Sequence, residues 1–384
     1  MKIGNVVSIT SGFAFKSSKF NDEGIGMPVV RIRDVGKNES DTFTDEKFDK
    51  KYLLKDGDML IGMDGDFRLK RWHGGPALLN QRVCKIEPLN GKIDSGYIYY
   101  LLPRELKKIE DSTSFATVKH LSVKKINEIE IPLPPLPIQQ KIAEILDTAD
   151  RIRRRTQQVL EKYDQMAQSL FLEMFGDPVR NEKGWEVKKL KEIVSENCPL
   201  TYGIVQPGDH YMNGIPVVRP VDLVDDYVGR DNLKLIDPSI SNKFKRTVLE
   251  GGEILLCVRG TTGVTSIAKF ELKGANVTRG ITPIWFDKMI ASSNFIFHQL
   301  KSLPVQNLIQ EKTYGIALKQ INLKDVRELP IALPPISVQN QFALIIEKIE
   351  QQKQQAKVEL DKSEELFKSL MQRAFKGELF AKKT

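Results

Sequence analysis

The feature that most constrains this chain is a long segment that occurs twice. Residues 118–175 and 318–375 align at a constant offset of 200 positions without a gap. The matching residues begin with Lys119 and Lys319 and continue to the end of both segments. A gapless repeat of this length indicates two copies of one structural unit, separated by sequence that forms a different part of the fold.

Each copy consists of a proline-rich elbow followed by a helix. The elbows, residues 133–135 and 333–335, both read Leu-Pro-Pro. Proline lacks a backbone N–H and pushes the preceding residue toward extended geometry, so the elbows cannot be helical. Long helices are predicted directly after them, over residues 137–175 and 337–375.

Apolar residues in both predicted helices recur in alternating steps of four and three. This spacing predicts a heptad seam, and two seams in one chain predict that the helices pair as an antiparallel coiled coil. Docking of each helix on its own domain, or pairing between molecules, is the alternative. The first seam comprises Ile138, Ile142, Ile145, Ala149, Ile152, Thr156, Val159, Tyr163, Met166, Leu170 and Met174. The second comprises Val338, Phe342, Ile345, Ile349, Gln352, Ala356, Leu360, Ser363, Phe367, Leu370 and Ala374.

The predicted fold class is α+β, with two similar domains of short strands plus helices that alternate with the two long helices. A chain of 384 residues exceeds one ordinary core, which also favours two domains. In the first domain Val29–Arg33 is predicted to be a strand, and Gly96–Ile109 a helix interrupted by Pro103. The predicted segments are a first domain over 1–136, a first helix over 137–175, a second domain over 176–336, and a second helix with a tail over 337–384.

The second domain echoes the first in sequence. Gly214–Leu223 is similar to Gly26–Val35, and NVTRGITPI is similar to NQRVCKI. The latter pair aligns Arg279 with Arg82. We therefore expect a shared scaffold that carries different loops.

Charge and cysteine content indicate the setting in which the chain works. The net charge of +8 lies mainly in the two domains and the tail, which is compatible with a nucleic-acid partner. The basic run 151–155 is interpreted as a solvated helix face, with a phosphate or partner contact as the alternative. Cys84, Cys198 and Cys257 lie in no Cys-x-x-Cys motif, which fits a reducing cytoplasm and argues against disulfides and a zinc site. No apolar run reaches membrane-spanning length and the start lacks a signal-peptide pattern, so a cytoplasmic location is expected.

The sequence contains no recognisable catalytic constellation. There is no P-loop, no dinucleotide-binding glycine motif after a strand, no nucleophile elbow, no zinc-protease motif and no Asn/Asp-Pro-Pro-aromatic motif of an amino-methyltransferase. Its carboxylates are explained by surface and turn positions. These absences favour a binding protein over an enzyme.

With both elbows and both helices identified, the whole chain resembles the specificity (S) subunit of type I restriction–modification systems. The phrase carried by residues 131–143 and again by 331–343 is typical of that family at this position. The sequence FLEMFGDP at the end of the first helix and GWEVKKLKEI at 184–193 are typical of the join into a second recognition domain. SGFAFKS, GGPALLNQRV, TYGIVQPG and RGTTG are similar to recurrent pieces of such domains.

This resemblance implies a DNA-binding subunit with no catalysis of its own. Each target-recognition domain is expected to read one half of a bipartite double-stranded DNA sequence, and the helices to set the unread gap. The implied partners are two methyltransferase (M) subunits, which use S-adenosylmethionine, and two restriction (R) subunits, which use ATP and Mg²⁺. No cofactor is expected on this chain and no membrane contact. The alternatives are a coiled-coil scaffold or silent specificity cassette without DNA binding, and an enzyme with an unrecognised site.

Sequence reading needs side chains that form paired hydrogen bonds to base edges, while other basic side chains hold phosphates. Lys119 and Lys319, placed alike before the elbows, are expected to contact phosphates. The candidates in the first domain are Lys16, Arg31, Arg33, Arg68, Lys70, Arg71, Asn80, Gln81 and Arg82. The candidates in the second domain are Tyr202, Gln206, Arg219, Arg259, Thr261, Thr262, Thr278 and Arg279.

Structural roles are the alternative for each candidate. An ion pair with Asp34 or Asp222 is the alternative for Arg31 or Arg219, and Trp72 is interpreted as a core residue.

Overall fold

The structure is a computed structural model that describes residues 1–89, 91–112, 119–316 and 318–380. Val118, where the sequence repeat begins, lies outside the described residues. The chain divides into two compact units. The first unit is Met1–Gln157 with Val358–Thr384, and the second is Gln158–Lys357.

The elements alternate short strands with helices of very different length. The strands are β1 (Val7–Ser11), β2 (Met27–Val30), β3 (Phe43–Thr44), β4 (Leu53–Leu54), β5 (Met59–Gly62), β6 (Leu69–Arg71), β7 (Ala77–Leu79), β8 (Val83–Pro88), β9 (Glu186–Lys189), β10 (Ile215–Val218), β11 (Tyr227–Val228), β12 (Lys234–Ile236), β13 (Ile254–Cys257), β14 (Thr265–Ala268), β15 (Asn276–Val277), β16 (Ile281–Ile284) and β17 (Pro330–Leu333). The α-helices are α1 (Ser95–Ser112), α2 (Val123–Asn127), α3 (Leu136–Phe175), α4 (Leu190–Ile193), α5 (Pro238–Ser241), α6 (Ser293–Lys301), α7 (Leu303–Glu311), α8 (Leu323–Arg327) and α9 (Ile336–Phe375). The short 3-10 helices are Ile3–Asn5, Ser17–Lys19, Ile32–Asp34, Lys50–Tyr52, Pro220–Asp222, Asn242–Thr247 and Phe270–Leu272. None of the described helices has the length and apolar character that a membrane span requires.

Two sheets and helix α1 build the first unit. One sheet has the order β1-β8-β5-β6 and is antiparallel throughout. The other has the order β3-β2-β7-β4, and its central pair, β2 and β7, is parallel. Ile61 of β5, Cys84 of β8 and Tyr97 of α1 share one buried cluster, so the helix closes one face of the antiparallel sheet.

Helix α1 continues through Pro103, so the predicted interruption is wrong. Pro103 lies on an exposed face of the helix, where its missing N–H removes a hydrogen bond from only one turn. Leu102 and Leu106 on the other face are buried. Their packing holds the helix together across the proline.

The second unit repeats this arrangement with additions. The order β11-β14-β13-β16 corresponds to the antiparallel sheet of the first unit, and β12-β10-β15 contains the parallel pair β10 and β15. A further pair joins β17 to β9. The shared scaffold expected from the sequence echo is therefore present.

Strand register shows that Arg279 does not correspond to Arg82. Gly62 pairs with Val83, and Cys257 pairs with Ile281, so the residues preceding each of these last strands correspond. Arg279 therefore corresponds to Gln81. The sequence echo failed here because it aligned similar letters, whereas backbone pairing sets the position of each residue.

The expected strand through Arg33 ends early, at Val30. The Asp34 carboxylate accepts a hydrogen bond from the Arg31 backbone N–H at 2.9 Å and turns the chain into a 3-10 helix. The second unit has the same turn, in which the Asp222 carboxylate accepts from the Arg219 N–H at 2.8 Å.

Within each unit, half of α3 packs antiparallel against half of α9. In the first unit Ile142 near the start of α3 shares a buried cluster with Ala374 near the end of α9. In the second unit Phe175 at the end of α3 lies 5.3 Å, between ring centroids, from Phe342 near the start of α9. The predicted antiparallel pairing is confirmed.

The predicted seam of the first helix is partly wrong. Ile152, Val159 and Met166 are 50%, 41% and 52% exposed. Leu146 and Phe171, which lie outside the seam, are buried. Each end of the helix packs against its own domain as well as the other helix, so the buried stripe is wider than two positions per heptad. Exposed positions of the second seam include Ile345 and Gln352.

A buried glutamine fixes the start of each long helix. The Gln139 side chain accepts from the Asp94 backbone N–H at 2.9 Å and donates to the Pro134 carbonyl at 2.8 Å. The Gln339 side chain accepts from the Ser292 N–H and donates to the second elbow's carbonyl, both at 2.9 Å. Each glutamine thus ties an elbow and a long helix to the chain just before the shorter domain helix.

Candidate nucleic-acid interface

In the first unit, the parallel pair β2 and β7 brings its carboxyl ends together. The Asn80 N–H donates to the Val30 carbonyl at 3.3 Å, so the residues that follow both strands lie side by side. Arg31 follows β2, and Gln81, which is exposed, follows Asn80. This edge gathers predicted DNA-binding residues that are far apart in sequence.

Arg82 belongs to a cluster of three polar side chains beside this edge. His120 Nδ1 lies 2.7 Å from Asp64 Oδ1, and Arg82 Nε lies 3.4 Å from Asp64 Oδ2. Arg82 has a φ of +70°, a left-handed conformation that side-chain-bearing residues rarely adopt, and its carbonyl accepts from the Met63 N–H at 2.8 Å. We call Asp64, Arg82 and His120 the Asp64 cluster.

The carboxylate of the Asp64 cluster orients both other side chains. Because the Asp64 carboxylate can only accept a hydrogen bond, it favours the tautomer with the proton on His120 Nδ1, and the opposite nitrogen, Nε2, is left for a ligand. The side chains of Arg82 and His120 are about half exposed, at 56% and 48%. The cluster therefore offers a guanidinium and an imidazole edge in a fixed orientation.

The second unit places different side chains at the same three positions. The bridge between Asp64 and His120 corresponds to one between Arg259 and Gln320. Gly280 takes the place of Arg82, as shown by the Val258 N–H, which donates to its carbonyl. A guanidinium and an amide thus replace a carboxylate and an imidazole on an equivalent backbone.

The predicted phosphate-binding lysines also occupy equivalent positions. The Lys119 carbonyl accepts from the Gly65 N–H at 3.0 Å, and the Lys319 carbonyl accepts from the Gly260 N–H at 2.8 Å. Each lysine is thereby held against the turn that follows a central strand. This places them beside the candidate base-reading positions of their own units.

A loop pressed against β15 presents further candidates in the second unit. A Cβ on Gly203 would lie 2.0 Å from the Val277 carbonyl oxygen, so only glycine permits this approach. Tyr202 and Gln206 on either side are exposed, as is Arg279 just after the strand. These three side chains form the second unit's counterpart of the first edge.

A cleft of about 260 Å³ in the first unit brings Arg33 and Arg68 together with Asp64 and Asp66. Arg68 pairs with Asp66, and Arg33 donates to the Thr42 hydroxyl at 3.0 Å. Both guanidinium groups are more than half exposed. They are oriented by neighbours and still reachable by a ligand.

Three predicted DNA-binding residues of the first unit have surroundings other than the Asp64 cluster: Lys16, Lys70 and Arg71. The Lys16 N–H donates to Glu46 at 3.1 Å in an exposed loop. Lys70 and Arg71 lie on β6, and the Arg71 guanidinium sits 4.8 Å from the ring centroid of Tyr99. The structure thus directs Arg71 toward α1.

Asn80, Thr262 and Thr278 are nearly covered, at 6%, 6% and 8% exposed. They sit beneath the loops that carry the exposed candidates, which fits a role in shaping those loops. Thr261 is exposed, and its hydroxyl lies 3.4 Å from the Cys257 sulfur.

The structural alternative holds for Arg219 and Trp72. Arg219 forms an ion pair with Asp222 at 2.9 Å, and this hydrogen-bonded partner raises the pKa of the guanidinium. Trp72 is buried and donates to the Gly75 carbonyl at 2.7 Å. Arg31 donates its backbone N–H to Asp34, and its guanidinium lies 5.8 Å from the ring centroid of Phe20.

Asp64, His120 and Gln320 were missed by reasoning from the sequence. Asp64 and His120 lie 56 residues apart, and only the fold joins them. His120 and Gln320 occupy the same repeat position, directly after the matched Lys119 and Lys319, and differ from each other. Most positions of the repeat also differ, so this difference alone did not single them out.

Two repeated scaffolds and two repeated long helices define a class of tandem two-domain α+β proteins, and comparison with known proteins shows the family. The pattern described as type I restriction modification DNA specificity domain matches residues 1–162 and 182–361. The chain belongs to that family.

Two relatives match along nearly the whole length of this chain. The type I restriction enzyme EcoBI specificity subunit of Escherichia coli is 33% identical, over 99% of this chain and 86% of that one. The MjaVIII specificity subunit of Methanocaldococcus jannaschii is 21% identical, over 96% and 87%.

Solved structures share the fold. The S subunit of the type I restriction–modification system from M. genitalium matches with a TM-score of 0.60 and 15% identity, covering 98% of this chain and 95% of that chain. A chain described for complex assembly and conformational transition of the type I R-M system matches with a TM-score of 0.50 and 17% identity, covering 99% and 97%.

Proposed function

We propose that this chain is the DNA sequence-recognition subunit of a type I restriction–modification complex. Each unit reads one half of a bipartite duplex site. The observation that carries this proposal is the contrast between the two edges. Equivalent backbone positions hold the Asp64 cluster in one unit and Arg259, Gly280 and Gln320 in the other. Different hydrogen-bonding groups on one scaffold are what two different half-sites require.

The long helices set the unread gap and dock the partner subunits. Val159 and Met166 lie seven residues apart on the second unit's part of α3, and both are exposed. Exposed apolar residues at that spacing are typical of a helix face that a partner covers. Two M subunits dock on the chain, and two R subunits join them.

The chemistry belongs to those partners. The M subunits bind S-adenosylmethionine and methylate adenine, and the R subunits bind ATP and Mg²⁺. This chain supplies no catalytic group and binds no cofactor. The purified chain alone therefore neither consumes S-adenosylmethionine nor cleaves DNA.

A map of adenine methylation tests the proposal. Cells that contain the M subunit are compared with and without this gene, and the deletion is complemented with the wild-type gene. We expect a bipartite motif with a fixed gap that disappears with the gene and returns on complementation. If complemented and deleted cells show the same methylation, the chain is a scaffold or silent cassette and the proposal fails.

A further inference from the structure

Strand β6 of the first unit and strand β14 of the second hold equivalent places but have different neighbours. Arg71 of β6 pairs with the first residue of β5, and Ile267 of β14 pairs with the first residue of β13. In the second unit, β11 adds to the outer side of β14 in parallel, and the Ile267 N–H donates to the Asp226 carbonyl at 2.8 Å. In the described part of the first unit, β6 is the last strand of its sheet.

The strand that covers β14 is acidic at its start, and lysines neutralise it. Lys353 Nζ lies 2.9 Å from Asp226 Oδ2, and Lys357 Nζ lies 2.7 Å from Asp225 Oδ2. Lys301 also pairs with Asp226. The second unit thus shows how this fold holds an acidic extended segment, by strand pairing on one side and helix-borne cations on the other.

Among its described residues, the first unit presents a strand edge and helix-borne cations without such an acidic segment. The Arg68 carbonyl accepts from the Gly62 N–H, and the Trp72 N–H donates to the Asp58 carbonyl, so both groups point toward β5. Because hydrogen-bonding groups alternate in direction along an antiparallel strand, the N–H and C=O groups of Leu69 and Arg71 point outward. His73, two residues beyond the end of β6, donates its N–H to the Asn38 side chain, which limits the open stretch to β6 itself. An open edge of this kind is a template for another strand.

A cleft of about 610 Å³, the β6 cleft, lies beside this edge. Among the charged residues that line it, five are cationic and three are acidic, which leaves an excess of two positive charges. Arg153 stands at the repeat position of Lys353, 200 residues earlier, and Arg154 follows it. Asp150 pairs with both arginines, each at 2.7 Å, so one carboxylate is shared between two guanidinium groups.

The geometry points to a protein-binding site: the β6 cleft takes an extended acidic segment of a partner protein. The segment adds a strand to β6 through the Leu69 and Arg71 backbone, and its carboxylates face Arg153 and Arg154. Charge complementarity and strand addition act together, as they do inside the second unit. This site lies apart from the Asp64 cluster, shares Asp66 and Arg68 with the neighbouring cleft of the candidate interface, and assigns Lys70 and Arg71 to a protein partner.

A labelled peptide tests this inference. The probe is the chain's own segment 221–230, VDLVDDYVGR, with fluorescein at its amino end. The control peptide carries asparagine in place of Asp225 and Asp226 and keeps Asp222. We expect the acidic peptide to raise fluorescence anisotropy on titration with the full chain, and the control peptide to bind about tenfold more weakly.

Matched variants locate the binding. Arg154→Glu should weaken binding of the acidic peptide about tenfold, whereas Arg151→Glu, on the same helix but outside the cleft, should not. Bound peptide should also slow amide hydrogen exchange across residues 67–73, a readout that needs no variant. Equal binding of both peptides, no effect of Arg154→Glu, or unchanged exchange would each overturn the inference. So would loss of duplex DNA affinity in Arg154→Glu with displacement of the peptide by DNA, because the cleft would then be a nucleic-acid contact.

Discussion

The Asp64 carboxylate accepts a hydrogen bond from His120 Nδ1 at 2.7 Å, across 56 residues of sequence. The same carboxylate lies beside the Arg82 guanidinium, so one acidic group orients two side chains that can reach a base edge. In the second unit Arg259 stands at the position of Asp64, so a positive charge replaces a negative charge at that point of the surface. The two units therefore differ in what they can recognise although their backbones correspond.

Arg82→Ala should weaken recognition of one half-site and leave the other intact. Loss of a paired hydrogen bond to a base costs about 1–3 kcal/mol. Arg279→Ala should act on the opposite half-site. Binding is measured with duplexes in which one half-site at a time is randomised, with M subunits present. Equal weakening of both half-sites by either variant would contradict independent reading by the two units.

Lengthening both long helices should change the gap and not the bases read. Seven residues add about 10.5 Å of helix, which corresponds to about three base pairs of B-DNA. The insertions follow Gln157 in α3 and Lys357 in α9, and the methylation motif is mapped as before. Insertion in α3 alone serves as a comparison and should destroy binding or shift the gap. A lengthened pair that methylates at the original gap would show that the helices do not measure it.

His298 should make the second unit less stable as the pH falls from 6.5 to 4. Burial against Phe342 and the nearby Lys301 lower the pKa of this imidazole to about 4. The folded state thus favours the neutral ring. The contribution of His298 to the free energy of unfolding is therefore complete above pH 6.5, and it is lost below that pH at about 1.4 kcal/mol per pH unit.

His298→Phe should flatten that part of the stability curve, measured by urea unfolding across the pH range. His210→Gln, an exposed histidine of the same unit, is the control and should keep the wild-type slope. Asp226 and Lys353 also face His298, and they are unchanged in both variants. Identical curves for wild type and His298→Phe would show that the histidine does not cause the effect.

Gln339→Ala should destabilise the second unit by about 2–3 kcal/mol, because it leaves the Ser292 N–H and the elbow carbonyl unpaired in the interior. Trp185 and Trp285 report unfolding of this unit by fluorescence. Asn340→Ala, at the exposed neighbouring position, is the control. A shift no larger than that of the control would mean that the glutamine bonds contribute little.

The sequence repeat predicted the long helices closely. Both begin one residue before the predicted start and end at the predicted residue. Repetition and proline chemistry are properties of the sequence itself, so they locate the helices without knowledge of the fold. The antiparallel pairing could also be predicted, because two helices with apolar stripes in one chain can bury those stripes against each other.

Side-chain placement was harder to predict because it depends on contacts that are distant in sequence. The exposure of Ile152 and the burial of Phe171 reflect where each domain touches its helix, which heptad spacing does not contain. Arg279 was aligned with Arg82 by letters, while the strand register aligns it with Gln81. Three strands and an α-helix lie between Asp64 and His120 along the described chain, so their contact depends on the placement of all four elements.

The boundary between the units falls within the long helices, near Gln157 in α3 and Lys357 in α9. The side chains of Gln157 and Gln158 are exposed, so neither core depends on them. A genetic crossover at this point would join the first part of one such chain to the last part of another. The second unit would be inherited whole, whereas residues 358–384, which complete the interior of the first unit, would come from the other parent. The architecture therefore suits combinatorial inheritance of half-specificities where the buried face of the C-terminal part of α9 fits the first domain of either parent.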